Sequence, residues 1–170
     1  MKCLLLIGFQ NDYFSGDGKM HASVENRIDI NTLKTRTIRL LKNINKNFLI
    51  VAAPIGFTQN YSDMGNTYGI LELIRDKNAF IVGTSGYQTI KDITDNHINV
   101  NILTHRRTLN AFQNTDLIKL LTTHGVNTLY LAGIFTSLCI DSTARTSYEL
   151  GYKTYILSDL IAGINEFENK

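Results

Sequence analysis

Leu129-Tyr130-Leu131-Ala132-Gly133-Ile134-Phe135-Thr136-Ser137-Leu138-Cys139-Ile140-Asp141-Ser142-Thr143-Ala144-Arg145 is the stretch whose reading decides the fold. It begins with apolar residues of high strand propensity, breaks at a glycine, and then reads as a helix running to Gly151, a natural C-terminal stop. That order puts Cys139 at a strand-to-helix corner. In an open α/β sheet such corners line the crevice at the carboxyl ends of the strands, where ligands bind. The N–H groups of a helix's first turn favour negative charge, so a thiol placed there is expected to be a better nucleophile. A lone cysteine is more often a small buried hydrophobe. Its neighbours shift that balance.

Outward from this corner the chain alternates strand and helix. Cys3 to Ile7 is a continuous apolar run of strand length, the pattern of a central strand covered on both faces. Phe48 to Ala53 is a second such run, and Pro54, the only proline, fits just past its end because it cannot donate to a ladder. Val100 to Leu103, Leu129 to Ala132 and Thr154 to Leu157 supply a third, fourth and fifth strand. Between them lie a helix over Val24 to Asn45, a short one over Gly69 to Lys77, another helical piece over Tyr87 to Ile93, and a helix over Thr115 to Thr123. The last is capped by Asn114 or Thr115 and stopped by Gly125. Asn11 to Gly18 reads as a loop and Gly83 to Gly86 as a turn. The alternation implies a three-layer α/β/α fold whose parallel sheet is joined by right-handed crossovers. A chain of 170 residues with 44% hydrophobic content supports one domain, 1–170, with a sizeable core.

Composition excludes several functions. The formal charge of +2 is spread along the chain with no run of five or six like charges, so neither nucleic acid nor an anionic membrane is expected as a partner. A small polar ligand is. Two cysteines, Cys3 and Cys139, make no disulfide framework. The apolar run from Cys3 to Phe9 is too short for a signal peptide or a membrane span, which points to the cytoplasm. Gly16, Gly18, Gly83 and Gly86 form no phosphate-binding fingerprint, and His97, His105 and His124 are scattered without ligand spacing. No metal and no cofactor are expected.

The corner and two further motifs resemble the isochorismatase-like cysteine hydrolases, the group of isochorismatases, nicotinamidases and N-carbamoylsarcosine amidases. Gly133 to Ala144, with Glu149-Leu150-Gly151-Tyr152 closing the helix, is similar to that family's cysteine segment. Leu4-Leu5-Leu6-Ile7-Gly8-Phe9-Gln10-Asn11-Asp12-Tyr13-Phe14 resembles its opening strand and Q-N-D-F turn. Arg106-Arg107-Thr108-Leu109-Asn110-Ala111-Phe112, followed by Thr115-Asp116-Leu117, resembles its middle motif. The resemblance implies strand order 3-2-1-4-5, with a sixth strand usual at the edge after one more helix. Since this sequence stops at Lys170, near where that helix would start, five strands and a missing or partner-supplied edge are expected. It further implies homo-oligomers, and a pocket wall made of Phe14, Phe112, Ile134, Phe135 and Leu138. The metal of the nicotinamidase branch is held by an Asp-x-His pair and a further histidine after the second strand; Pro54 to Ala79 contains no histidine here.

The same resemblance implies a catalytic Asp at the end of the first strand, a Lys at the end of the third and the Cys at the corner. Aligned on Gln10-Asn11-Asp12, this chain has Gly8 in place of the Asp. Aligned on Asn110-Ala111-Phe112, it has Arg106 in place of the Lys. Only Cys139 matches. Glycine cannot accept a proton, and Arg106 exchanges a compact ammonium for a planar fork suited to carboxylates. Asp12 is expected to brace its turn rather than replace the base; His105 is expected to face away from Arg106, and His21 to lie at the surface. Two readings follow: a cysteine hydrolase of small amides working with a degenerate triad, and a non-catalytic relative that binds a small anion, such as a carboxylate, or serves as a scaffold.

Overall fold

A computed structural model describes residues 1–24, 29–65, 68–95 and 99–163. Its centre is a five-stranded sheet of order β3-β2-β1-β4-β5, with β1 at Lys2–Ile7, β2 at Phe48–Ala53, β3 at Val100–Ile102, β4 at Thr128–Ile134 and β5 at Lys153–Ala162. Every pairing is parallel, and β1 lies in register between β2 and β4 from Lys2 to Ile7. The unbroken apolar runs follow from this position, because alternate residues of β1 enter two different cores. Leu4 and Leu6 pack with Ile50, Ala132 and the inner face of α2 (Ile30–Asn43), which contributes Ile30, Leu33 and Leu41. Cys3, Leu5 and Ile7 pack with Val51 and Leu131 against Leu117 and Leu121 of α5 (Leu117–Thr123) and against Ile140. Each such leucine, removed from water, contributes about 1.5–3 kcal/mol.

The short helices are α1 (Asn11–Phe14), α3 (Ile70–Asp76) and α4 (Lys91–Thr94), and α6 (Asp141–Glu149) follows the cysteine corner. Several boundaries differ from the sequence reading. The helix expected over Val24 to Asn45 is α2 alone, begun by Asp29, whose carboxylate accepts from the Thr32 N–H at 2.9 Å; residues 25–28 lie outside the described residues. Tyr87 to Thr89 is not helical, because Thr89 bridges Gln10 in an extended pairing and only Lys91–Thr94 completes a turn. Neither Asn114, whose φ is 59°, nor Thr115 is the N-cap of α5, which starts at Leu117 after Asp116; Thr115 Oγ1 accepts from the Leu117 N–H at 3.3 Å from outside the helix. The fifth strand runs well past Leu157, with a register shift against β4 between Leu131 and Gly133. Residues 164–170, where a further helix would start, lie outside the described residues. Among the described residues no helix is long and apolar enough to cross a membrane.

Candidate functional site at the cysteine corner

β1 and β4 end side by side, Ile7 opposite Gly133. A β-carbon on Gly133, whose φ is 135°, would overlap the Ile7 carbonyl oxygen, so only glycine lets the strands close here. Beyond Gly133 the chain enters a π-helical turn over Thr136–Ile140, with the Ile140 N–H donating to the Phe135 carbonyl at 3.1 Å, and continues directly into α6. Cys139 lies in that turn, 9% exposed, with a free thiol. The expected strand-to-helix corner is therefore present.

Gly8 follows β1 with φ of 78°, a left-handed conformation that L side chains rarely adopt. A β-carbon there would stand 2.9 Å from Ile134 Cγ1 and 3.1 Å from the Ile134 carbonyl oxygen. The Asp12 carboxylate does not fill the vacancy. It accepts from the Lys19 N–H at 3.1 Å and the Phe80 N–H at 2.6 Å and packs against the α-carbon of Gly86. Asp12 is thus a brace, as its position in the sequence suggests, but it fastens a distant segment as well as its own loop.

Arg106 is 1% exposed. Its fork is spent on backbone: Nη1 donates to the Ala53 carbonyl and Nη2 to the Leu109 carbonyl, each at 2.6 Å. Nε is buried without a hydrogen-bond partner, and Arg106 forms no ion pair among the described residues. Burying an unneutralised charge in this way costs on the order of several kcal/mol. His105 turns the other way, exposed, with φ of 64°; this stretch lies past the end of β3, so the cause is a left-handed residue rather than strand alternation.

Sequence reasoning passed over two residues of the opening motif. The Gln10 amide, wholly buried, accepts from the Ile55 N–H at 2.9 Å and donates to the Ile55 and Tyr87 carbonyls at 2.8 and 2.9 Å, tying β1 to the ends of two other segments. Tyr13, standing where the resembled motif has Phe, is 4% exposed and meets Phe135 edge-on at 5.6 Å and Phe80 at 4.8 Å. Burial, foremost, pushes its phenol far above the ordinary range; Cys139 and Asp12 act in the same sense and Arg106 in the opposite one. Its hydroxyl is thus a neutral donor. The substitution of Tyr for Phe was the signal available in the sequence. His21 Nδ1 lies 2.8 Å from the Tyr13 carbonyl oxygen and is half-buried rather than at the surface.

The expected wall residues separate into two groups. Ile134 touches the Gly8 position, Phe135 touches Tyr13, Phe14 stacks on Phe9 at 5.3 Å and Leu138 packs on the same core. Phe112 belongs to the opposite core and stacks on Tyr152 at 6.2 Å. Where the resemblance would put a metal, after β2, Asp63 instead pairs with Arg107 and accepts from the Thr58 N–H at 2.9 Å. No group of three or more His, Cys, Asp or Glu gathers among the described residues.

A family model for the isochorismatase domain matches residues 2–170. The uncharacterized isochorismatase family protein YddQ of Bacillus subtilis is 28% identical over 94% of this chain and 76% of its own length. Nicotinamidase 3 of Arabidopsis thaliana is 25% identical over 68% of this chain, a match that spans 58% of the plant protein. Among solved structures, an isochorismatase family protein from Desulfovibrio vulgaris superposes with a TM-score of 0.78 at 19% identity, covering 99% of this chain and 85% of the other. The nicotinamidase/pyrazinamidase PncA of Bacillus subtilis does so with 0.71 at 21%, covering 99% and 90%. These likenesses bear on the fold.

Proposed function

This chain belongs to the isochorismatase family, and on that premise we propose that it binds a small molecule at the inherited cysteine site without hydrolysing it. The observation that carries this reading is that the opening motif offers the Cys139 thiol no available carboxylate. Position 8 is a glycine in left-handed backbone against Ile134, and the nearest motif carboxylate, Asp12, is committed to two backbone N–H groups. Loss of a general base typically lowers rate by about two to four powers of ten. Arg106 cannot take the mobile part of a lysine, since both tips of its fork are held by backbone carbonyls. Tyr13, kept protonated by burial, is a donor and not a base.

The test is single-turnover acylation by an activated ester, with hydrolysis of nicotinamide and other simple amides, in the parent and in Cys139→Ala. The expected result is no amide turnover that depends on Cys139. Turnover at ordinary enzyme rates, lost in Cys139→Ala, would establish the second reading: a hydrolase with another proton carrier, to which the retention of Cys139 in its helical turn lends support.

A further inference from the structure

We propose that Arg106, Tyr13 and Cys139 form a site for a small monocarboxylate, whose oxygens accept from Arg106 Nε and from the Tyr13 hydroxyl. This deepens the reading above and rests on it. The argument is one of unmatched donors and unmatched charge. Arg106 has an Nε–H with no acceptor, sealed from water in a residue that is 1% exposed. A buried donor left unpaired costs about 1–3 kcal/mol, and more when it is charged. Tyr13 adds a second donor and Cys139 a weak third, while the carboxylate that would have accepted from them is missing at Gly8.

The site therefore lacks an acceptor and a negative charge, and a carboxylate supplies both. One buried cation calls for one negative charge, which favours a monoanion over a phosphate dianion. Nη1 and Nη2 each give an N–H to Ala53 and Leu109, which fixes the plane of the guanidinium and leaves Nε as its nitrogen without an acceptor. Recognition then divides between two residues, one oxygen on Nε and the other on the phenol. Phe135, edge-on to Tyr13, and Ile134, against Gly8, leave an apolar surround that raises the strength of both bonds and disfavours ligands with a second polar end.

The experiment uses acetate and benzoate, with acetamide and benzamide as neutral matches, at constant ionic strength. Two readouts are taken: the shift in melting temperature, and the rate at which iodoacetamide alkylates Cys139. The second reports Cys139 specifically, since Cys3 is 0% exposed, and Cys139→Ala supplies the blank. The acids are expected to raise the melting temperature and slow alkylation, and the amides to do neither. Arg106→Gln would also lose its bonds to Ala53 and Leu109 and could fail to fold, so the decisive variant is Tyr13→Phe. It removes one hydroxyl from a ligand contact and should weaken acid binding about tenfold or more, a hydrogen bond to a charged group contributing about 1.5–3 kcal/mol.

Acids no better than the amides, or an affinity unchanged in Tyr13→Phe, would overturn the proposal. The two readings fail separately. Cys139-dependent amide hydrolysis would remove the non-hydrolytic reading yet leave acid binding standing, whereas silence in both assays would remove only the carboxylate site.

Discussion

Glycine at position 8 shows how a residue can be legible in its absence and illegible in its consequence. That no carboxylate stands at the end of β1 is readable from the order Gly8-Phe9-Gln10-Asn11-Asp12. That the backbone there is left-handed and lies against Ile134 is not, because a positive φ follows from the path of neighbouring strands rather than from local sequence. Restoring an aspartate is therefore not a simple repair. Gly8→Asp and Gly8→Ala are both expected to lose about 1–3 kcal/mol in urea unfolding, from the φ angle and the Ile134 contacts together. An alanine variant as stable as the parent would show that the backbone can relax at this position. An aspartate variant much weaker than the alanine variant would instead assign the loss to burying a charge. Cys139 and Arg106 were recognisable from motif spacing, but the fate of Arg106's nitrogens depended on the carbonyls of Ala53 and Leu109, which no pattern in its own segment encodes.

At the scale of elements, the opening motif is a fastening for the segments that cover the strand ends. Asn11 Nδ2 donates to the Ser85 carbonyl at 2.9 Å, Asp12 receives the Phe80 N–H, and Gln10 reaches Ile55 and Tyr87. This explains why residues 79–90, whose sequence has weak periodicity, hold a defined path with little helix: their order comes from side chains some seventy positions away. A second fastening joins Asp63 to Arg107. Burial of the Asp63 carboxyl raises its pKa, but hydrogen bonds from the Thr58 N–H and hydroxyl, then the one from Arg107 and its charge, outweigh that and leave it below the usual range. A lowered folded-state pKa means stability that is present above the unfolded value, about 3.9, and lost as pH falls through the folded value. Acid unfolding of the parent should thus show a loss below about pH 4 that Asp63→Asn lacks. Identical acid profiles of the two proteins would remove Asp63 as a source of acid sensitivity.

For the whole molecule, the sheet order was the most legible feature, since buried parallel strands are apolar on both faces, and β1 after Lys2, all of β2 and β4 after Thr128 are. The length of β5 was not, because Ser158 and Asp159 interrupt its apolar pattern at an edge where only one neighbour constrains it. The site depends on one global condition: β1 and β4 must run close enough for Ile7 and Gly133 to pair and for the cysteine turn to leave β4 beside Gly8. The Ile7 carbonyl oxygen occupies the volume that any β-carbon on Gly133 would need, and it belongs to the central strand, which packs into both cores. Relief cannot come from a side-chain rotation. Either the two strands part, opening both faces, or the chain fails to close. Gly133→Ala is therefore expected to lose more than about 4 kcal/mol, the range of severe backbone and core defects, or not to accumulate as folded protein. Gly16→Ala is the matched control, because nothing lies within 4 Å of a β-carbon there, and it should change stability by less than about 0.5 kcal/mol. Circular dichroism melts of the pair give the comparison. A Gly133→Ala protein that melts with the control would mean that the strands have room to separate, and that neither the cysteine turn nor the Arg106 environment is held by their close approach.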